Sequence, residues 1–373
     1  MCFETAIAKH QGFAQDVWAK LTAKMPHSRQ KATQLSYIPY TTCQNEWKPG
    51  PFDGICWWTN GFWPAEMWQM YLHTGDEAYR AEAERAEEML DEAFEEFDHL
   101  HHDVGFMWLI SSGVNFRLSG NDASRKRTLR AANMLAGRFN PNGFIRAWND
   151  DKHGWAIIDC MMNLNLLYWA SDYTGDPRYR KIAMAHADTA LEHFVREDGS
   201  VEHIVCFDPE SGDVVDKLAG QGCAKGSAWS RGQAWGLYGF VLSYLHTGKP
   251  AYLEAAKKIA GFFMENVKTT GVPLCDFRQK ENDLFDSCAG AIAACGLIEL
   301  SRTTNDESYL DAAVAMLKAM DERCADWSAE EPAVLTKCTG AYSGNDHHIT
   351  MVYADYFFME AMAKLSGEKL RFW

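Results

Sequence analysis

The chain has 373 residues, 47% of them hydrophobic and 23% charged, and a formal net charge of −15. That length fills one large domain or two average ones with ample core, and the negative balance excludes nucleic acid and an anionic membrane surface as principal partners. An anionic small molecule is admissible only where a local Arg, Lys or His cluster overrides the global field.

Eleven cysteines, an odd number with no C-x-x-C pair, fit reduced thiols in a cytoplasm. The N-terminus has no apolar secretory core and no apolar run reaches spanning length. A cytoplasmic protein with no membrane partner is expected. Fourteen Trp exceed what a core alone requires; Trp and Tyr faces stack on sugar rings as well as on other helices.

Along the chain, apolar and aromatic-rich helices are expected near 62–73, 104–118, 159–173, 228–246, 287–302 and 350–365. More charged, amphipathic helices follow five of them, at 76–97, 122–136, 176–195, 250–267 and 306–322, and another lies near 4–24. Between the members of each pair a short motif recurs: Thr74-Gly-Asp-Glu-Ala-Tyr79, Thr174-Gly-Asp-Pro-Arg-Tyr179, Thr247-Gly-Lys-Pro-Ala-Tyr252 and Thr304-Asn-Asp-Glu-Ser-Tyr309, with weaker copies at Ser119 and Ser366. Gly or Asn supplies a left-handed cap, Asp caps the next helix, and Pro177 and Pro250 stand where a helix accepts proline. Twelve helices alternating buried and half-exposed predict an (α/α)6 barrel, six inner helices lined by six outer ones, as one domain over 1–373. A linear solenoid is the competing architecture, but the spacing between corners is too uneven for it.

Connections entering inner helices are long: 25–61, 98–103, 137–158, 196–227, 268–286 and 323–349. In a ring they gather at one end, and loops of this length are usually functional. Val201–Phe207 and Asp213–Lys217 predict a small β-hairpin over that mouth. The loop ends carry His101, His102, Asp103, Trp148, Asp159, His203, Gln221, Arg231, Trp235, Asp286, Tyr342, His347 and His348.

Asp103 and Asp159 head neighbouring inner helices. Each alone is also what a helix N-cap looks like; together, with aromatic walls and an Arg, they describe a glycosidase cleft. The helix dipole favours their ionised form, whereas burial beside Trp and a second carboxylate favours the proton. Arg231 enters a buried helix and requires an anion, either Asp286 or a substrate carboxylate. The adjacent His pairs lack metal-ligand spacing, and Gly220–Gly226 is not a phosphate loop, so neither a metal nor a cofactor is expected.

Over nearly its whole length the chain resembles the unsaturated glucuronyl hydrolases, glycoside hydrolase family 88. The blocks are Trp58-Thr-Asn-Gly-Phe-Trp63, His102-Asp-Val-Gly-Phe106, Ile157-Ile-Asp-Cys-Met-Met-Asn163, Ser227-Ala-Trp-Ser-Arg-Gly-Gln-Ala-Trp235, Asp286-Ser-Cys-Ala-Gly-Ala-Ile-Ala-Ala294 and Asp355-Tyr-Phe-Phe-Met-Glu360. The resemblance implies the same barrel, Asp159 as general acid/base, and Asp103 as its partner, whose ionised form would stabilise positive charge at the reacting carbon. It places Arg231, His203, Gln221 and Trp235 around a uronate, with Trp58, Trp148 and Tyr342 as walls. The implied substrate is a small anionic oligosaccharide ending in a 4,5-unsaturated glucuronate, and the implied reaction is hydration of its vinyl ether. Family members that prefer sulfated disaccharides carry a Lys after the Ser of the last long loop; here Lys337–His348 has none, so no strong sulfate preference is expected. The alternatives are an unsaturated rhamnogalacturonyl hydrolase, or a sugar epimerase on the same fold with His203 and His348 as bases.

Overall fold

In a computed structural model the described residues are 3–51, 54–368 and 370–373; Met1 and Cys2 of the N-terminal stretch that lacks an apolar secretory core lie outside them. Among the described residues the α-helices are α1 (Phe3–Ala8), α2 (Gln11–Thr33), α3 (Phe62–Thr74), α4 (Glu77–Met89), α5 (Val104–Trp108), α6 (Ser112–Ser119), α7 (Asp122–Gly137), α8 (Cys160–Thr174), α9 (Pro177–His193), α10 (Ser230–Thr247), α11 (Pro250–Val267), α12 (Ser287–Thr304), α13 (Glu307–Arg323) and α14 (Val352–Leu365).

The inner members pack in sequence: α3 on α6, α5 on α8, α8 on α10, α10 on α12, and α12 on α14, which closes the ring against α3. Each is backed by an outer helix, α4 on α3, α7 on α6, α9 on α8, α11 on α10, α13 on α12 and α2 on α14. This is the (α/α)6 barrel. The two classes differ as their sequences require. Every residue of α12 from Ser287 to Ser301 is buried, whereas α11 buries Tyr252, Ala255, Ala256, Ile259, Ala260, Phe263 and Val267, one stripe at helical spacing.

The recurring corners follow from local chemistry. Thr74 Oγ1 donates to the Met70 carbonyl at 2.7 Å and accepts from Asp76 N at 3.2 Å, while Asp76 accepts from Ala78 N at 2.9 Å. Gly75 between them has φ 70°, and Gly120, Gly175 and Gly248 repeat this within a few degrees. Asn305 takes the same conformation at φ 56°. Among the described residues no outer helix follows α14, and Trp373 is buried with its ring stacked on Phe357 and edge-on to Phe106.

Three expected helices differ. The helix expected at 104–118 is broken between α5 and α6, where Ser111 leaves helical geometry (ψ −88°) and its hydroxyl returns to the Met107 carbonyl; Ser-Ser-Gly is a kink-prone run. The helix expected at 76–97 stops at Met89 and continues as two 3-10 turns, Glu92–Phe94 and Phe97–His99. The helix expected at 4–24 is instead α1 followed by α2, which runs through Pro26 to Thr33; a proline normally argues for a stop, which is why the expectation ended short.

Short strands decorate the mouth: β1 (Thr41–Cys43), β2 (Glu46–Lys48), β3 (Phe139–Asn140), β4 (Phe144–Ile145), β5 (Trp155–Ile157), β6 (Ile204–Phe207) and β7 (Val214–Leu218). The expected hairpin is β6–β7, and β5 joins it antiparallel as a third strand. Among the described residues no helix is long and apolar enough to cross a membrane, and the described cysteines are free thiols.

Candidate active site

Both acidic residues occupy N-cap positions, Asp103 on α5 and Asp159 on α8, and neither side chain makes a capping hydrogen bond. The ordinary reason for an Asp at a helix head is therefore absent at both. One turn in, the two helices are pulled together. Phe106 N donates to Asn163 Oδ1 at 2.8 Å, and a Cβ on Gly105 would lie 2.6 Å from that oxygen and 2.8 Å from the Asn163 Cα. Only glycine permits that approach. The consequence is that Asp103 and Asp159 line one cavity of about 290 Å3, a size suited to a single sugar ring.

Trp57, Trp58, Trp148 and Trp229 line the same cavity, together with Gln221, Arg231 and His102. Strand pairing delivers a second histidine: Ile157 pairs with Ile204, Ile158 N donates to the His203 carbonyl at 3.1 Å, and His203 Nε2 comes to 3.9 Å from Asp159 Oδ1. His203 Nδ1 sits between Gln221 N at 3.0 Å and the Ala219 carbonyl at 3.1 Å, and its ring lies against Trp229 at 4.2 Å.

Burial dominates the electrostatics. It lowers His203 to about 3 and holds His102 well below its ordinary range, so both rings are neutral. His102 Nδ1 faces the Ala147 carbonyl at 3.1 Å and so carries the proton. Its bare Nε2 then faces Asp103 Oδ1 at 3.2 Å. Two lone pairs repel at that distance, so a proton on Asp103 is what makes the contact favourable. Burial first, and the Asp159 charge second, push the Asp103 carboxyl well above the ordinary carboxylate range. Asp159 is raised to about 7 by burial, against the pull of Arg231. In the competition left open by the sequence, burial favours the proton on both carboxyls.

Arg231 takes the internal partner. It donates to Asp286 Oδ2 at 2.8 Å, to the Thr339 carbonyl at 2.9 Å and to the Gly340 carbonyl at 2.7 Å. Burial works against its charge, but the Asp286 carboxylate outweighs that and keeps the guanidinium charged. Arg231 still lines the cavity, cross-linking the last long loop to the head of α10.

Of the residues expected around a uronate, the cavity wall holds Asp103, Asp159, Trp58, Trp148, Gln221 and Arg231, with His203 touching Asp159 from behind. Two stand elsewhere. Trp235 is fully buried in the ring, 5.1 Å from Phe106 and 5.5 Å from Phe357, because its helix is apolar on every face. Tyr342 lines an adjoining cavity of about 420 Å3 with His347 and His348; its hydroxyl donates to Glu281 at 2.7 Å and its backbone N to the Gln221 carbonyl at 2.9 Å. Trp57 and Trp229 line the site without having been expected there. Trp229, two residues before Arg231 at the N-cap of α10, had a positional signal; Trp57 had only its neighbour Trp58. Among the described residues no group of three or more His, Cys, Asp or Glu is placed to hold a metal ion.

With the geometry described, comparison with known proteins is informative. The family model described as Glycosyl Hydrolase Family 88 matches residues 18–245. The chain is 36% identical to an unsaturated glucuronyl hydrolase of Bacillus sp. (strain GL1), over 85% of this chain and 88% of that one. It is 34% identical to an unsaturated chondroitin disaccharide hydrolase of Streptococcus pyogenes serotype M1, over 85% and 83%. The crystal structure of the unsaturated glucuronyl hydrolase responsible for glycosaminoglycan degradation from Bacillus sp. GL1 superposes with a TM-score of 0.86 at 32% identity, covering 97% of this chain and 96% of that chain.

Proposed function

The chain belongs to glycosyl hydrolase family 88, and from that membership and the cavity we infer that it releases 4,5-unsaturated glucuronate from the non-reducing end of lyase-generated oligosaccharides of the glycosaminoglycan type. The observation that carries this reading is the pair of uncapping carboxyls, Asp103 and Asp159, converging on one aromatic-walled cavity. The reaction is hydration of the C4=C5 vinyl ether. A proton goes to C4 and a water oxygen to C5. The resulting hemiketal opens, freeing the neighbouring sugar and leaving a keto-uronate.

Asp159 has the properties of the proton donor. A carboxyl raised to about 7 is protonated in mildly acidic solution and releases its proton without a large penalty. The carboxylate left behind then takes the proton of the water adding at C5. Asp103, pushed well above the ordinary carboxylate range by burial, keeps its proton toward His102 and adds no fixed negative charge beside the sugar. Positive character developing at C5 meets the new Asp159 carboxylate instead. Trp58 and Trp148 give the ring flat apolar walls, Gln221 and His203 give polar ones, and Arg231 supplies the positive field for the uronate carboxylate. The whole of 1–373 acts as one catalytic unit, since the site draws residues from 57 to 231 and is braced by the loop near 340.

The test is direct. An unsaturated chondroitin-type disaccharide loses its near-ultraviolet absorbance on incubation with the protein, and a rhamnogalacturonan-type disaccharide serves as control. Asp159→Asn lowers kcat by about 10²–10⁴-fold with the circular-dichroism spectrum unchanged. Normal turnover by folded Asp159→Asn would overturn the assignment.

A further inference from the structure

His101 lines the catalytic cavity and also a second groove of about 510 Å3, between the 3-10 turn at Phe97 and the β3–β4 hairpin. The described residues lining this groove include Arg138, Arg146, His101 and His153 and no acidic side chain, in a chain whose net charge is −15. That inversion of sign is local and has a structural cause. Arg138 lies under the groove and spends its donors on neutral oxygens: the carbonyls of Leu100 (3.1 Å), Arg146 (2.9 Å), Ala147 (3.1 Å) and Trp148 (2.8 Å), and Asn149 Oδ1 (2.9 Å). Its charge is held by the fold and met by no carboxylate in hydrogen-bond contact. Burial and the neighbouring Arg146 lower it to about 10, which still leaves it charged at neutral pH.

Arg146 is half-buried on the groove wall, its guanidinium bonded, among the described residues, to His153 Nδ1 at 2.9 Å and Asn149 Oδ1 at 3.3 Å. Lys152 stands apart from the groove lining, its ammonium 5.6 Å from the ring of Trp148, a wall of the catalytic cavity, and 5.4 Å from Trp155. At the edge Phe97 is 63% exposed, an uncovered aromatic face where the chain's other described aromatics, Tyr173 excepted, are buried or half-buried. Two guanidinium groups and an open phenyl ring beside a sugar-sized cavity form a cradle for a ring that carries negative charge.

We propose that this groove binds an anionic sugar lying further along the oligosaccharide from the unsaturated end, its carboxylate or sulfate held by Arg146 and its ring against Phe97. The proposal rests on the reading of the central cavity as the unsaturated-uronate site. It makes the enzyme prefer chains longer than a disaccharide, through a surface separate from the Lys337–His348 loop.

Calorimetry with saturated tetrasaccharides, which the reaction cannot consume, tests the groove without turnover. One ligand carries carboxylates only and the other is also sulfated, so the two sources of charge are distinguished. The wild-type protein is expected to bind at least one of them about 10-fold more tightly than either Arg146→Ala or Phe97→Ala, as loss of a charge-assisted contact implies, and this binding weakens with added salt. Turnover of an unsaturated disaccharide by both variants stays within about 2-fold of wild type, whereas KM for an unsaturated tetrasaccharide rises. Equal binding of the tetrasaccharides by wild type and both variants, or none by wild type, overturns the groove site. Failure of wild type to consume any unsaturated disaccharide overturns the reading of the central cavity, and the calorimetry still decides the groove.

Discussion

Asp159 concentrates the physical consequences of the site. Its ordinary value of 3.8 is lifted to about 7 by burial, so the folded protein favours the protonated form more than the unfolded chain does. The stabilising effect of that proton is present at acidic pH and is lost as pH rises through about 7. Wild type is therefore expected to lose Tm progressively between about pH 4 and 7, and no further above that, relative to Asp159→Asn, which has no proton to lose; paired thermal melts across that range check it. Activity follows the same sign. The reaction needs the proton on Asp159, so kcat/KM holds on the acid side and falls above about pH 7, and a profile rising through pH 7 to 8 contradicts the donor role. At this scale Asp103 and Asp159 were legible as candidates because they head helices whose boundaries are visible in composition, whereas the wall residues came from the family resemblance. It concealed the protonation of Asp103, which depends on where His102 Nε2 points, and the place of Trp235, which depends on how a wholly apolar helix is rotated.

Among the elements, the contact between α5 and α8 decides whether the two acids reach one ring. Gly105→Ala places a methyl 2.6 Å from Asn163 Oδ1; the helix heads must part, and a fall in kcat of at least about 10-fold is expected, together with a lower Tm. Asn163→Ala removes the acceptor of the buried Phe106 N–H, costing about 1–3 kcal/mol in urea unfolding. Wild-type kcat in Gly105→Ala would remove the argument for the latch. The corners between paired helices were legible because Thr, Gly and Asp settle them within a few consecutive residues. The break at Ser111 and the early end of α4 were not, since the periodicity continues past both, and the Ser111 hydroxyl turning back to Met107 shows only in the structure. Likewise the third strand of the mouth sheet, β5, is three residues long and has no pattern apart from its partner.

For the molecule as a whole, ring closure puts the variable loops at one end and the repeated corners at the other, so chemistry and scaffold are segregated. Uneven corner spacing sufficed to prefer a ring to a solenoid, and pairing of α14 with α3 completes it. Beneath the catalytic cavity lies a continuous layer of rings: Trp58 meets Phe106 at 5.5 Å, Phe106 meets Trp235 at 5.1 Å and Trp373 at 5.8 Å, and Trp373 stacks on Phe357.

That aromatic layer makes the passage through the ring a cul-de-sac. A saccharide cannot thread from one face of the protein to the other, so trimming proceeds by repeated visits, one terminal residue per visit, and each freed uronate backs out the way its parent came in. Departure and the next arrival therefore share a doorway. Adding the keto-uronate product is expected to raise KM and leave kcat unchanged, and a purely noncompetitive pattern would mean that a second exit exists.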